Sequence, residues 1–137
     1  GSFWECTSLE NIIIPNSVTT IEDRVFEGCT KLSYITLGDS LKTIGEFAFT
    51  GLKNLEAFNV DDNNPNYKSI DGVLYSRDGK KLIAFPGAKD GTFTIPNSVE
   101  MLGFGAFENT KLTELKFEDD INLLTIGRIT FLPIKCL

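Results

Sequence analysis

Residue types that commonly perform catalysis are sparse in this sequence. Histidine is absent, so a Ser-His-Asp triad, a Cys-His pair and a His-Glu-x-x-His zinc site are all impossible within the chain. Gly103-Phe104-Gly105 suggests part of a dinucleotide-binding loop, but Glu108 occupies the position of the third glycine. We therefore predict that the chain is not an enzyme and has neither a catalytic residue nor a cofactor.

Two cysteines share one position in a spacing that recurs along the chain. Cys6 and Cys29 are 23 residues apart (29 − 6), and in a stacked fold their Cα atoms would lie near the separation that a disulfide tolerates. The alternative is two small buried side chains, a common role of free cysteine. We favour free thiols, with Cys136 unpaired, but the sequence leaves both possibilities open.

Acidic residues recur at the ends of predicted strands and could bind a cation. Asp39, Asp61-Asp62 and Glu118-Asp119-Asp120 each follow a strand, and stacking would align them along one edge, where Ca²⁺ could find several oxygen ligands. However, the segment 61–65 lacks the glycine and the distal glutamate of an EF-hand loop. We therefore predict a solvated acidic edge and no metal site.

The overall composition restricts the class of partner. The 137 residues carry a net charge of −6, whereas non-specific nucleic-acid binding needs a stripe of Lys and Arg facing the phosphates. The sequence contains no apolar run near the roughly 20 residues of a membrane span. We expect neutral or basic protein partners, no nucleic acid and no membrane insertion of this segment.

One internal repeat accounts for these spacings. Phe3, Phe26 and Phe49 are 23 residues apart (26 − 3 and 49 − 26). A single coil cannot bury its own apolar stripe, so residues at equal positions must stack on those of the next coil. Three further sets keep the same step: Leu9, Leu32 and Leu55; Ile12, Ile35 and Phe58; Ile14, Leu37 and Val60.

Each repeat predicts the same local structure. Residues 32–37 end in alternating apolar and polar side chains, which indicates a short strand with Ile35 and Leu37 inward. The segment 20–29 predicts a second short strand followed by one or two helical turns that end near Gly28. The predicted fold class is an α/β repeat, a solenoid of coils of about 23 residues in which short stacked strands are joined by short helical turns.

An insert interrupts the repeat between Val60 and Ile95. Asp78-Gly79 lies between two β-prone runs, 72–75 and 81–85, which is a strong hairpin signal. We predict one inserted β-hairpin that projects from a single domain, 1–137, with regular coils at 3–60, the insert at 61–92 and further coils at 93–137. The insert is either an extra coil widened by a hairpin or a contact patch. Such a patch would contain Tyr67, Tyr75, Arg77, Lys80 and Lys81.

The strands also predict an exposed face for binding. If the apolar positions point inward, alternation turns the intervening side chains outward, and solenoids commonly bind along such surfaces. Ile13 and Tyr34 form the best anchor pair, because binding energy concentrates in aromatic and apolar residues; the alternative is scattered surface apolar residues. The candidate partner-binding residues are Ile13, Tyr34, Thr36, Asn59, Thr94, Glu114 and Lys116, with Tyr75 and Arg77 from the hairpin, on a ladder that also contains Asn11, Ala57 and Thr92.

The consensus of these coils resembles the BspA-like (Treponema pallidum-type) leucine-rich repeat family of surface proteins. The matching motifs are Ile-Pro-Asn-Ser-Val at 14–18 and 95–99, and Thr-Ile followed by Ala-Phe at 43–49.

The resemblance implies a right-handed, curved leucine-rich-repeat solenoid that is displayed on the cell surface or secreted by host-associated bacteria. It also implies a non-catalytic protein-binding module that acts in adhesion by binding extracellular-matrix or host-cell proteins. The alternative function is a structural spacer that holds another domain away from the cell envelope. Neither Phe3-Trp4 nor Leu137 resembles a polar cap, so we expect the chain to be a segment of a longer array.

Overall fold

A computed structural model describes residues 8–118 and 125–126 of the chain. Within these residues the backbone forms short strands joined by turns. The strands are β1 (Asn11–Ile14), β2 (Thr20–Ile21), β3 (Tyr34–Leu37), β4 (Thr43–Ile44), β5 (Ala57–Val60), β6 (Tyr67–Ile70), β7 (Val73–Ser76), β8 (Lys81–Ala84), β9 (Asp90–Ile95), β10 (Met101–Leu102), β11 (Lys111–Phe117) and β12 (Thr125–Ile126).

The strands stack in the register that the repeat predicts. Strands β1, β3 and β5 form one parallel sheet in which Ile12, Ile35 and Phe58 are aligned, and β2 pairs with β4 in a second sheet. Ile35 and Phe58 are buried, and so is Leu37. Stacking of equal positions therefore buries the apolar stripe, and the solenoid fold is confirmed.

Residues 8–118 and 125–126 form five coils. The longer strands pair in two sheets, β1–β3–β5 and β9–β11, and the short strands β2 and β4 pair in a third. Coil 1 contains β1 and β2, and coil 2 contains β3 and β4. Coil 3 extends from β5 to β8, coil 4 contains β9 and β10, and coil 5 contains β11 and β12. In a separate five-stranded sheet, β8 is followed by β10 and β12, all parallel.

The short helical turns expected between the strands are wrong, because residues 8–118 contain turns but no helix. Arg24 and Phe47 both have positive φ, a conformation that interrupts a right-handed helix. In addition, the amides of Arg24 and Phe26 donate to the carbonyls of Glu46 and Ala48 in coil 2, at 3.3 and 3.1 Å. These amides bond to the next coil and not within a helical turn.

The insert adds a meander of three antiparallel strands to coil 3. The expected hairpin across Asp78-Gly79 is present as β7 and β8, and β6 precedes it and pairs with β7. Asp71 and Gly72 join β6 to β7 with φ values of 53° and 82°, as a two-residue type I′ turn requires. The sequence contained this second Asp-Gly signal, but the predicted hairpin did not include it.

The meander lies inside the stack, so the projecting hairpin is wrong and the extra coil is confirmed. On β7, Leu74 packs with the core of coils 1 and 2, whereas Val73 and Tyr75 pack in a second core with coils 4 and 5. Strand β7 is therefore covered on both faces. Ala84-Phe85, at the end of β8, takes the coil position of Ala48-Phe49. The Phe85 amide donates a hydrogen bond to the Ala106 carbonyl of coil 4 at 2.9 Å.

An aromatic column runs along the stack. The rings of Phe26 and Phe49 stack with their centroids 5.7 Å apart and planes 7° from parallel, as their 23-residue spacing predicts. Phe3, the third member of the predicted column, lies outside the described residues. Later in the stack, the ring of Phe85 lies 5.3 Å from that of Phe107, so coils 3 and 4 contain an aromatic pair of their own.

Candidate functional site

The outer face of β1, β3 and β5 carries the first part of the predicted ladder. In this sheet Ile13, Thr36 and Asn59 occupy equal positions. The side chain of Ile13 is 73% exposed and that of Tyr34 is 42% exposed. Ile13 pairs with Thr36, and Tyr34 pairs with Asn11, so the two anchors are diagonal neighbours on one face. The exposure expected for both anchors is present.

Tyr34 is held in place by the following coil. Its hydroxyl donates a hydrogen bond to the Glu56 carboxylate, and Glu56 immediately precedes β5. This hydrogen bond raises the pKa of Tyr34 above its ordinary value, and the negative charge of Glu56 adds to the effect. The ring is therefore presented in a fixed direction, which reduces the entropy that a partner must remove on binding.

The second part of the ladder lies on a separate two-stranded sheet, β9 and β11. Here Thr92 is opposite Glu114 and Thr94 is opposite Lys116. The Lys116 ammonium lies 3.1 Å from the Glu114 carboxylate, and the Thr92 hydroxyl is 3.4 Å from Glu114. This part of the face is polar and contains no exposed aromatic residue.

The β6–β7 turn separates the two parts. The Phe58 amide of β5 donates to the Gly72 carbonyl at 2.9 Å, and the Ser69 hydroxyl donates to the Phe58 carbonyl at 2.6 Å. Ile70, beside this turn, is 48% exposed. The single ladder expected from the sequence is therefore two surfaces, with an exposed isoleucine between them that the repeat pattern could not indicate.

Of the two hairpin candidates, only one is exposed. The prediction of Tyr75 as a contact residue is wrong, because its side chain is 3% exposed and lies in the second core. Burial raises the pKa of Tyr75 to about 12. Arg77 is exposed, and its guanidinium donates to the Asp62 carbonyl at 2.7 Å. Strand alternation misjudged Tyr75 because β7 is buried on both faces.

The three tyrosines of the chain predict an alkaline transition. The pKa is raised for Tyr34 by the hydrogen bond to Glu56, and for Tyr67 and Tyr75 mainly by burial. In the unfolded chain all three should ionise near pH 10. The raised pKa values therefore stabilise the folded chain fully below that pH. This stabilisation is lost as the pH rises through the pKa values of the folded state, toward about 12 for Tyr75.

Absorbance of tyrosinate at 295 nm measures this effect directly. We expect the tyrosines of the native protein to ionise at higher pH than those of the guanidinium-unfolded protein. Tyr34→Phe should remove one third of the total absorbance change, because the three tyrosines contribute equally. Coincident native and unfolded titration curves would contradict the prediction.

The cysteine and acidic predictions are only partly covered by the described residues. Cys29 is buried in the first core, but Cys6 and Cys136 lie outside the described residues, so the redox state of the pair stays a prediction. The carboxylate of Asp39 accepts from the Ser40 hydroxyl at 3.0 Å, and that of Asp61 accepts from the Asn63 amide at 2.9 Å. Within the described part of the chain, no cluster of three or more His, Cys, Asp or Glu could hold a metal ion.

Across residues 8–118 and 125–126, no helix has the length and apolar character needed to cross a bilayer.

The sequence and the fold both match known proteins. Residues 1–132 match six copies of the family model described as BspA type Leucine rich repeat region. No curated protein sequence matches the chain.

Three solved structures share the fold. A leucine-rich repeat protein from Eubacterium ventriosum matches with a TM-score of 0.85 and 28% identity, covering 94% of this chain and 34% of that chain. Pneumococcal vaccine antigen PcpA matches with a TM-score of 0.67 and 27% identity, covering 90% of this chain and 36% of that chain.

A leucine-rich cell surface protein from Faecalibacterium prausnitzii has a TM-score of 0.67 at 24% identity, covering 92% of this chain and 39% of that chain, which is a likeness of fold alone. The chain therefore spans little more than a third of the length of each of these structures.

Proposed function

The chain belongs to the BspA-type leucine-rich repeat family, and from that premise we propose that it is a non-catalytic module that binds a protein partner. The outer face of β1, β3 and β5 would form the contact. The observation that carries the proposal is the exposed pair of Ile13 and Tyr34, at 73% and 42%, on a face whose other outward side chains are polar apart from Ala57. Large exposed apolar residues on a rigid sheet are typical anchors of protein interfaces.

The remaining ladder residues suit the rim of such an interface. Thr36 and Asn59 continue the row of Ile13 across the sheet, and both offer hydrogen-bonding groups without a charge to desolvate. Thr94, Glu114 and Lys116 lie on the β9–β11 sheet, where the Glu114–Lys116 ion pair is open to solvent. Exposed ion pairs add little affinity but influence the choice and orientation of a partner.

We further propose a location on the cell surface or outside the cell. Support comes from a structural relative that is described as a vaccine antigen. The partner that fits this location is a host protein, either of the extracellular matrix or of the host cell surface, and the resulting activity would be adhesion.

The test of this proposal is retention of the purified chain by immobilised extracellular-matrix proteins. Replacing Ile13 and Tyr34 together with serine should lower the affinity about 30-fold, since removal of interface anchors commonly costs about 2 kcal/mol. The matched control is Ile70→Ser, which removes an apolar side chain that is 48% exposed and lies on β6, outside the β1–β3–β5 sheet. Titration calorimetry gives both affinities.

Two outcomes would contradict the proposal. An unchanged affinity of the folded double variant would exclude this face as the contact. Failure of every matrix and host-cell surface protein to retain the native chain would favour the structural spacer, because a spacer needs the stack but no partner.

A further inference from the structure

The turn that follows β8 is shorter than its counterparts, and this leaves a groove on the side of the stack that carries the short strands β4, β8 and β10. Ala48 follows Ile44 by four positions in coil 2 and Ala106 follows Leu102 by four in coil 4, but Ala84 follows Leu82 by only two in coil 3 (48 − 44, 106 − 102 and 84 − 82). The turns of coils 2 and 4 therefore meet above coil 3. None of the residues that line the groove belongs to β1, β3 or β5.

One end of the groove is aromatic. The rings of Phe47 and Phe104 lie 6.1 Å apart across the shortened turn, and Phe104 is 38% exposed. The Arg24 guanidinium lies 4.9 Å from the Phe47 ring centroid and holds that ring. At Gly105 an added Cβ would lie 3.0 Å from Phe47, so only glycine keeps this end open. The floor continues along Ile83.

The other end is basic. Lys42 and Lys81 line it together with Asn66, Tyr67 and Ser76, and the acidic residue that lines the groove, Glu46, belongs to the aromatic end. Both lysines are exposed, and the ion pairs found among residues 8–118 involve neither of them. The nearby Asp78 carboxylate is directed to the Ser76 hydroxyl and the Lys80 amide, at 2.7 and 3.0 Å. Two uncompensated cations thus converge on one cleft of a chain whose net charge is −6.

We propose that this groove is a second binding site that accepts an extended acidic segment of a partner protein. Carboxylates of the segment pair with Lys42 and Lys81, and an adjacent apolar side chain packs against the exposed ring of Phe104 beside Phe47. The charge of the basic end selects an anionic ligand. The aromatic end selects a peptide and not a sulfated glycan, because a glycan has no large apolar group to place against two phenyl rings.

The site is independent of the β1–β3–β5 face, and its test uses a different probe. The probe is a fluorescein-labelled peptide of four glutamates followed by leucine and phenylalanine, titrated with the whole chain in fluorescence anisotropy. We expect saturable binding that weakens with added salt. The same peptide with lysines in place of the glutamates should not bind.

Variants of the groove locate the binding. Lys42→Glu combined with Lys81→Glu should weaken binding of the peptide about tenfold or more, since two attractive contacts become repulsive. Phe104→Ser should weaken it about tenfold through loss of the apolar contact. Lys31→Glu and Ile70→Ser are the matched controls, because they change exposed residues of the same types elsewhere, and both should bind as the native chain does.

Three results would overturn the proposal. They are equal binding of the lysine peptide, unchanged binding by the Lys42→Glu/Lys81→Glu variant, and binding of a heparin oligosaccharide in place of the acidic peptide. Circular dichroism confirms that each variant is folded. The Ile13→Ser/Tyr34→Ser variant should keep its affinity for the peptide, which separates failure of this site from failure of the strand face.

Discussion

Replacing Asn64 with alanine is expected to lower the free energy of unfolding by about 3 kcal/mol, because several buried polar groups would lose their partners at once. Asn64 is fully buried. Its amide nitrogen donates to the Gly38 and Leu41 carbonyls, at 2.9 and 3.2 Å. Its oxygen accepts from the amides of Asn66 and Tyr67, at 2.7 and 3.0 Å. One side chain thereby joins the loop of coil 2 to the start of the meander in coil 3.

Urea denaturation followed by circular dichroism measures this loss. The matched control is Asn63→Ala, which removes an exposed amide one residue earlier and should change stability by less than about 0.5 kcal/mol. Asn64→Asp is a stricter test, because aspartate keeps the acceptor but cannot donate to the two carbonyls. An Asn64→Asp variant as stable as the native chain would show that the donated bonds contribute nothing.

The second large effect is expected at Leu74. Its side chain is fully buried on β7 and packs in the core of coils 1 and 2. Leu74→Ala should therefore destabilise the chain by about 3 kcal/mol, the usual cost of removing a buried leucine and leaving a cavity. The physical reason is that β7 forms part of the stack, so the defect opens the main core and not a peripheral hairpin.

The contrast between the two strands of the β6–β7 hairpin makes this prediction specific. Ile70, on the paired strand β6, is 48% exposed, so Ile70→Ala should cost less than about 0.5 kcal/mol. Thermal unfolding of the two variants gives the comparison. Equal and small losses for both would mean that the meander packs loosely against the solenoid, contrary to the burial of Leu74.

Residues that repeat at equal intervals were the ones whose structure could be predicted. Stacking requires equal positions to cover each other, so the spacing of Ile12, Ile35 and Phe58 was sufficient to give their register. The same argument placed Ile13 and Tyr34 outward. It gave no information on the turns, where amides such as that of Arg24 bond to the next coil, because local sequence does not report the competition between helical and inter-coil hydrogen bonds.

The insert was predicted less well because it has no repeated partner. Alternation assumes that one face of a strand is in water, whereas Val73, Leu74 and Tyr75 are all buried. Ala84-Phe85 carried a usable signal, since the same dipeptide recurs at 48–49 and 106–107 in coils 2 and 4. Aligning these dipeptides would have identified coil 3 and the groove beside Phe47.

The short turn of coil 3 affects only one flank of the stack. Although it lacks two residues, Lys81 and Leu82 keep their pairing with Met101 and Leu102. The Phe85 amide reaches Ala106 at 2.9 Å, much as Phe26 reaches Ala48 at 3.1 Å. The two-residue difference is thus confined to the turn of coil 3. The length of this turn therefore determines the surface shape on one flank, while the strands of the opposite flank keep their register.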